Sequence, residues 1–450
     1  MTMYKVYIET LGCPKNQVDS ETMLGLYSEN DYEITKDPFY GDIIIVNTCG
    51  FIESAKKESL DTIMEMIDYK ENGNCKILIV SGCLIERYAD ELKEELPEVD
   101  AFVGTTSFEN IIEITDKIIS EKKFVVSTGN IDKILKENAP RILQSPDYYA
   151  FLKISEGCDN LCTYCIIPKL RGKYRSRQIE DIISEAKKLV DSGVKELILI
   201  AQDTTRYGID IYGEYRLYKL LQELEKIEGL HWIRIQYCYP DIVDDRLIDE
   251  IARNTKVVKY LDIPIQHSSD KILKLMKRNT SRAQISSLIE KLRAKVDKIA
   301  IRTTLITGFP GETEEDVEDL IKFIEEYKFD KLGVFTYSNE EGTAAYNLPN
   351  HVDEETMEER KVRILQVQQD ISTKNLEYFM KKTIDVLIEE KVPEEDIYIG
   401  RSQYDAPEID GVVYVHCENG EELAIGDIVK CKVNDTMEYD LIGVYEDESC

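Results

Sequence analysis

Three cysteines, Cys158, Cys162 and Cys165, stand in one short run spaced C-x3-C-x2-C. Thiolates this close cannot all pair with one another as disulfides. They can hold three corners of a cubane iron–sulfur cluster and leave the fourth iron without a protein ligand. An open iron can chelate the amino and carboxylate groups of S-adenosylmethionine (SAM) and pass an electron into the sulfonium. The resulting carbon radical can attack an unactivated C–H bond, which no side chain can do alone. The alternative is a tetrahedral zinc site or a coincidence of buried thiols. Structural zinc takes four ligands, but the next cysteine is Cys238 and the nearest histidine is His231. The run is incomplete as a zinc site and complete as an open-cluster site.

A second set, Cys13, Cys49 and Cys83, is dispersed, and its meaning depends on the elements that carry it. Predicted strands Lys5–Glu9, Asp42–Asn47 and Lys76–Ser81 end just before these cysteines. With a fourth strand at Val99–Val103 they alternate with predicted helices Gln17–Glu29, Glu53–Tyr69 and Arg87–Glu95. Such alternation implies a parallel sheet with helices on both faces. The C-terminal ends of parallel strands share one edge, where ligands bind. Gly12, Gly50 and Gly82, each beside a cysteine, let those loops turn tightly. The set therefore reads either as a second three-cysteine cluster site or as three inert buried thiols.

Residues 145–350 repeat the pattern with six predicted strands: Tyr149–Ile154, Lys195–Ala201, His231–Tyr237, Lys259–Ile263, Lys298–Leu305 and Lys331–Tyr337. Six strand–helix units make an incomplete barrel rather than an eightfold one. Thr313 and Asp316 have the spacing of a capping box at the start of a helix over Glu315–Tyr327. A charged helix over 354–382 leads into a third block, 383–450, where four strands are visible and the size suggests a five-stranded barrel of the oligonucleotide-binding type.

The 11 cysteines are an odd number, and Met1–Thr10 reads as a strand rather than a signal peptide. Reduced thiols, metal ligation and a cytoplasmic protein are expected. No run of 18 apolar residues occurs, so no membrane helix is expected. The net charge is −31, and residues 383–450 hold 19 acidic and 4 basic residues, a net −15. A barrel that grips a phosphate backbone should be basic; this charge argues against direct nucleic-acid binding and suits a basic protein partner. Lys169, Arg171, Lys173, Arg175 and Arg177 form a local basic run, readable as a patch near the active site, as an anion clamp or as a solvated loop.

Further motifs are Leu11-Gly-Cys-Pro-Lys-Asn16, Val18-Asp-Ser-Glu21, Asn47-Thr-Cys-Gly-Phe-Ile52, Ile198-Leu-Ile-Ala-Gln-Asp-Thr-Thr205, Gly308-Phe-Pro-Gly-Glu-Thr313 and Asp405-Ala-Pro-Glu-Ile-Asp-Gly411. Through these and the six cysteines the chain resembles the radical-SAM methylthiotransferases over essentially its whole length. It resembles the branch that modifies an aspartate β-carbon in small-subunit ribosomal protein twelve more than the branch that modifies transfer-RNA adenosine. The resemblance implies a multidomain α/β fold. A flavodoxin-like N-terminal sheet (1–140) comes first, then a radical-SAM partial (βα)6 barrel (145–350), a linker helix (354–382) and a small TRAM barrel (383–450). It implies two [4Fe-4S] clusters, one on Cys13, Cys49 and Cys83 and one on Cys158, Cys162 and Cys165, with SAM used both to methylate sulfur and to make the abstracting radical. Expected SAM contacts are Tyr164, Gln202 and Asp203 after the second barrel strand, and Arg302 and Thr303 on the fifth; no general acid–base pair is expected. A basic ribosomal protein as substrate, a low-potential flavodoxin or ferredoxin as electron donor and a monomeric enzyme complete the expectation. The rivals are a transfer-RNA methylthiotransferase and, from another class, a non-catalytic iron–sulfur scaffold.

Overall fold

The computed structural model describes residues 4–133, 139–417 and 421–446. The first block is an open sheet of six parallel strands: β1 (Lys5–Thr10), β2 (Glu33–Ile34), β3 (Ile43–Thr48), β4 (Ile77–Gly82), β5 (Ala101–Val103) and β6 (Val125–Ser127). Their spatial order is β2-β1-β3-β4-β5-β6. Every residue of β3 and β4 is buried, as continuous apolar strands covered on both faces must be. Four helices supply the cover: α1 (Pro14–Glu29), α2 (Glu53–Asn72), α3 (Cys83–Glu95) and α4 (Ile111–Glu121). Met23 and Tyr27 of α1 and Ile111 and Ile114 of α4 pack on Val6, Ile43 and Ile45. Ile63 and Met66 of α2 and Leu84 and Ile85 of α3 pack on Ile44, Val46 and Leu78. Neighbouring strand residues thus feed opposite cores, as period-2 geometry requires. Strand order reverses between β1 and β3, which places a ligand crevice past their C-terminal ends.

The second block begins with β7 (Tyr149–Lys153). A short antiparallel pair, β8 (Ser155–Glu156) and β9 (Arg175–Ser176), then brackets the cysteine run. It continues with β10 (Glu196–Ile200), β11 (Trp232–Ile235), β12 (Val257–Asp262), β13 (Ala300–Thr307) and β14 (Lys331–Thr336). These form an open parallel sheet in the order β14-β13-β12-β11-β10-β7, the six-unit partial barrel expected. Leu152, Leu199, Ile235 and Leu261 pack beneath the surrounding helices, while Phe151, Ile198 and Ile200 face the opposite way and meet Val18 of α1.

The helix after the barrel runs Glu354–Leu376, and a 3-10 turn, Glu377–Phe379, redirects the chain; the expected helix to residue 382 was a turn too long. The third block is a closed barrel of β15 (Thr383–Lys391), β16 (Ile397–Ser402), β17 (Val413–His416), β18 (Ile428–Thr436) and β19 (Leu441–Glu446), ordered β15-β16-β17-β19-β18. It docks on the partial barrel through Leu387 and Ala406, which pack with Trp232, Val258 and Tyr260. Glu196 accepts from Arg234 at 2.7 Å and from Arg401 of the small barrel at 2.6 Å. Among the described residues no helix is long and apolar enough to cross a membrane.

Candidate active site

Cys13 is the N-cap of α1, Cys49 directly follows β3, and Cys83 opens α3 directly after β4. Three neighbouring strands therefore deliver their first loop residues to one edge. The expected helix start at Arg87 was late: Cys83 already lies in the first turn. Cys83 is buried there, and burial raises its thiol. The loops approach so closely that a Cβ on Gly12, whose φ is +89°, would stand 2.7 Å from Cys49 Cβ. Asn16 braces the same corner, donating to the carbonyls of Leu11 and Thr48, both at 2.9 Å. Ser59 Oγ donates to the Cys49 carbonyl and accepts from its N–H, both at 3.0 Å.

A buried knot of charges joins this edge to the partial barrel. Lys153 Nζ donates to Asp19 at 2.5 Å and to Glu156 at 2.8 Å. Arg171 donates to Asp19 at 2.7 Å, to Glu156 at 3.3 Å and to Asn16 Oδ1 at 2.5 Å. Two cations face two carboxylates, so the knot is neutral, as burial demands. Burial alone would raise the Glu156 carboxyl; Lys153 and Arg171 outweigh it and hold the group well below the usual carboxylate range. Three of the five cations of the run 169–177 are therefore taken up by carboxylates. Arg171 serves this knot, Arg175 pairs with Asp132 at 3.5 Å, and Arg177 pairs with Asp181 and Glu185, both at 2.6 Å.

The second cysteine loop is fixed from two sides. The Cys158 N–H donates to Gly172 O at 3.1 Å, and the Thr163 N–H to Met276 O at 3.0 Å. Gly157 has φ +79°, and a Cβ there would strike Lys173 O at 2.1 Å. Asn160 donates to Asp203 at 2.8 Å, and Arg206 donates to Asn160 at 2.9 Å. Tyr164 lies edge-on to Phe309, with ring centroids 6.5 Å apart. Arg278 stacks over the Tyr239 ring at 4.0 Å, donates to Pro264 O at 2.5 Å, and keeps a buried Nε without a partner among the described residues.

Between the two loops lies a cavity of about 360 Å³, lined by all six cysteines and by Lys15, Tyr164, Arg171, Gln202, Tyr237 and Arg278 among others. Its size suits a small-molecule site. Its wall carries three cations and no carboxylate among the described residues, against the sign of the whole chain. Gln202 donates to Glu156 at 2.7 Å, and its Oε1 is buried without a partner. Of the expected SAM contacts, Tyr164 and Gln202 thus reach the cavity wall, and Asp203, Arg302 and Thr303 do not. Asp203 braces Asn160. Arg302 pairs with Asp262 at 3.3 Å and with Asp410 of the small barrel at 3.6 Å. Thr303 donates to Ile263 O at 2.8 Å. Lys15, Tyr237 and Arg278 were not singled out from the sequence. Lys15 lay inside a quoted motif; Tyr237 and Arg278 carry no spacing signal.

The donor set fits the inferred clusters. All six thiols are free. Each set gathers three of them on the wall of one cavity, and thiolate is the usual ligand of iron in such clusters. Burial pushes the Cys49 and Cys158 thiols up to about 12, a bias that bound iron inverts.

Comparison with known proteins agrees with this geometry. The Radical SAM superfamily model matches residues 152–324, Uncharacterized protein family UPF0004 matches 5–104, and the TRAM domain matches 382–445. The ribosomal protein uS12 methylthiotransferase RimO of Clostridioides difficile (strain 630) is 52% identical over 441 residues, 98% of each chain. That of Clostridium botulinum (strain Eklund 17B / Type B) is 53% identical over 456 residues, 100% of each. The chain belongs to the ribosomal protein uS12 methylthiotransferases. This bears out the resemblance to the ribosomal-protein branch. The radical-SAM methyltransferase TsrM of Kitasatospora setae, solved with cobalamin and a [4Fe-4S] cluster, covers 74% of this methylthiotransferase and 75% of its own chain, with a TM-score of 0.56 and 15% identity; that likeness is one of fold.

Proposed function

We propose that this enzyme replaces one hydrogen on the β-carbon of an aspartate in ribosomal protein uS12 with a methylthio group, in two SAM-dependent steps. The observation that carries the reading is the convergence of two three-cysteine sets on one cavity, in a chain about half identical to uS12 methylthiotransferases along its length. When bound, one [4Fe-4S] cluster on Cys158, Cys162 and Cys165 and another on Cys13, Cys49 and Cys83 supply reductive SAM cleavage and a place for the sulfur to be methylated. In the balance, one SAM gives its methyl to sulfide-level sulfur and leaves as S-adenosylhomocysteine. A second SAM, given one electron by the low-potential donor, splits into methionine and a 5′-deoxyadenosyl radical that takes the aspartate hydrogen away as 5′-deoxyadenosine. The electron released as the carbon–sulfur bond forms would pass to the cluster held by Cys13, Cys49 and Cys83.

The protein's own residues bind and orient. Gln202 Oε1 is the acceptor for the SAM ammonium, and the backbone at Tyr164 meets the adenine. Asp203 and Arg302 act one layer back, the first by fixing Asn160 in the cysteine loop and the second by fixing Asp262; Thr303 holds the chain at Ile263. Cys158 is buried and Tyr164 half-buried, which limits the access of water to the radical. The acidic third block, with 19 acidic against 4 basic residues, complements a basic ribosomal protein. The enzyme works as a monomer in the cytoplasm with a low-potential flavodoxin or ferredoxin as donor.

The test is anaerobic. The protein is reconstituted with iron and sulfide, reduced, and given SAM with purified uS12 or with transfer RNA. A gain of about 46 Da on one uS12 aspartate (SCH3 for H) is the expected product of such C–H chemistry. The same gain on adenosine would move the enzyme to the rival substrate. Turnover to 5′-deoxyadenosine with neither substrate altered would remove the substrate assignment and leave the radical site.

A further inference from the structure

The cavity has three cations, and they are not equivalent. Arg171 is neutralised by Asp19 and Glu156. Arg278 lies on the side of the contiguous cysteine run, over Tyr239. Lys15 lies two residues from Cys13 and is only 7% exposed. Its ammonium rests on the Tyr237 ring, 3.2 Å from the centroid. Among the described residues no carboxylate stands within ion-pair distance of it, while the other two cations of the wall are held in place by protein oxygens.

A buried ammonium without an anion is costly unless something supplies one. An aromatic face compensates only in part. The support beneath it is built at a cost of its own. Tyr237 has φ +62°, a left-handed conformation that a bulky residue rarely adopts and that clusters at functional sites. Its N–H donates to Asp262 at 3.0 Å, and Asp262 is held by Arg302. The chain Arg302–Asp262–Tyr237 thus presents an aromatic platform, and the platform presents Lys15 to the cavity beside the dispersed cysteines.

Resting on the function proposed above, we infer that Lys15 binds the side-chain carboxylate of the substrate aspartate and is the residue that selects aspartate. The carboxylate carbon is one bond from the β-carbon that reacts. A cation on the Cys13 side therefore holds that carbon next to the sulfur donor while leaving its hydrogen facing the SAM side. Lys15 touches substrate without exchanging protons or electrons, so it is a positioning and specificity residue.

The experiment compares reconstituted wild-type enzyme, Lys15→Met and Lys15→Arg on two substrates: uS12, and uS12 with its target aspartate changed to asparagine. Wild-type enzyme should favour the aspartate substrate in kcat/KM by roughly 10- to 100-fold, the worth of one buried charge-assisted hydrogen bond. In Lys15→Met that preference should collapse to within a few-fold. Iron content should match wild type, and Lys15→Arg should recover part of the preference. If Lys15→Met slows both substrates equally and keeps the preference, or loses iron, Lys15 serves the cluster or the fold and the inference is overturned. A wild-type enzyme that modifies neither uS12 overturns the proposed function itself, a result distinct from an unchanged preference.

Discussion

Cys158, Cys162 and Cys165 come from a single loop, whereas Cys13, Cys49 and Cys83 come from three separate strand ends. The first set is placed by local turns and by the brace from Asn160 to Asp203. The second exists only when β1, β3 and β4 are in register, because each thiol is delivered by a different strand. One cavity receives both sets. A contiguous ligand run tolerates strain elsewhere in the fold; a dispersed one reports the integrity of an entire sheet. The two sets should therefore fail differently.

The largest effect comes from removing a ligand. Cys162→Ala should abolish both 5′-deoxyadenosine and methylthiolated uS12. Cys49→Ala should abolish the methylthiolated product while substrate-independent 5′-deoxyadenosine persists, because in the function proposed above the iron that meets SAM belongs to the other loop. Each variant should lose about half of the reconstituted iron if both sites carry [4Fe-4S] clusters. Equal loss of 5′-deoxyadenosine in both would show that the two sites are not separable, and the contrast drawn here would fail.

Next is the charge knot that keeps both sets facing one cavity. Arg171→Met leaves Asp19 and Glu156 with Lys153 as their only cation in that knot, and breaking a buried ion pair on one side costs about 3–5 kcal/mol. Urea unfolding should show a loss of that order. It should be accompanied by 5′-deoxyadenosine formation uncoupled from product, since Arg171 ties Asn16 and the dispersed set to the barrel. A midpoint within error of wild type would mean that this knot contributes nothing to holding the two sheets together.

The same difference governs what could be seen in the sequence. The C-x3-C-x2-C run needs only spacing. The capping box at Thr313 and Asp316 needs only a short stretch, and it is present. The strand positions before Cys13, Cys49 and Cys83 were legible from apolar runs, because parallel strands buried on both faces read as such. The first turn of α3 was not: Leu84 and Ile85 are buried and look like more strand until the left-handed turn at Gly82 is known. β19 was missed because its partners are β17, in parallel, and β18, a pairing no local pattern reveals. The run 169–177 stayed open between an active-site patch, an anion clamp and a solvated loop because Asp19, which neutralises Arg171, is distant in the chain. Arg302 and Thr303 lie within β13 (Ala300–Thr307) rather than at its end, and both are taken up by bracing interactions.

A second ion cluster joins the same two sheets and makes the contrast pH-dependent. Arg141 bridges Glu21 of α1 and Glu185 of the helix Ile179–Asp191. Burial would raise the Glu185 carboxyl, but Arg177 and Arg141 outweigh it and bring it down to about 2. A folded value below the unfolded one means the stabilisation is complete above about pH 4.5 and is lost as pH falls toward 2. The shift corresponds to an order of about 3 kcal/mol. Denaturation of cluster-free wild type and Glu185→Gln between pH 6 and 3, taken as about the range of that titration, should show their stability gap closing on acidification. A gap constant across that range would place the linkage elsewhere.

The smallest effect is the most selective. Gly12→Ala puts a Cβ at φ +89°, 2.7 Å from Cys49 Cβ and 3.1 Å from its sulfur. The left-handed conformation alone costs about 1–2 kcal/mol, too little to unfold a chain of this size. The contact, however, falls on a ligand of the dispersed set and on nothing in the contiguous loop. Thermal unfolding should shift only slightly, 5′-deoxyadenosine formation should hold, and iron retention and methylthio product should drop together, as they would for a milder Cys49→Ala. An equivalent Gly157→Ala, whose Cβ would meet Lys173 O at 2.1 Å beside Cys158, should reverse the pattern by reducing 5′-deoxyadenosine first. If both glycine variants impair the same activity, the two cysteine sets share one mechanical support, and the strand register would then matter to the contiguous loop as much as to the dispersed one.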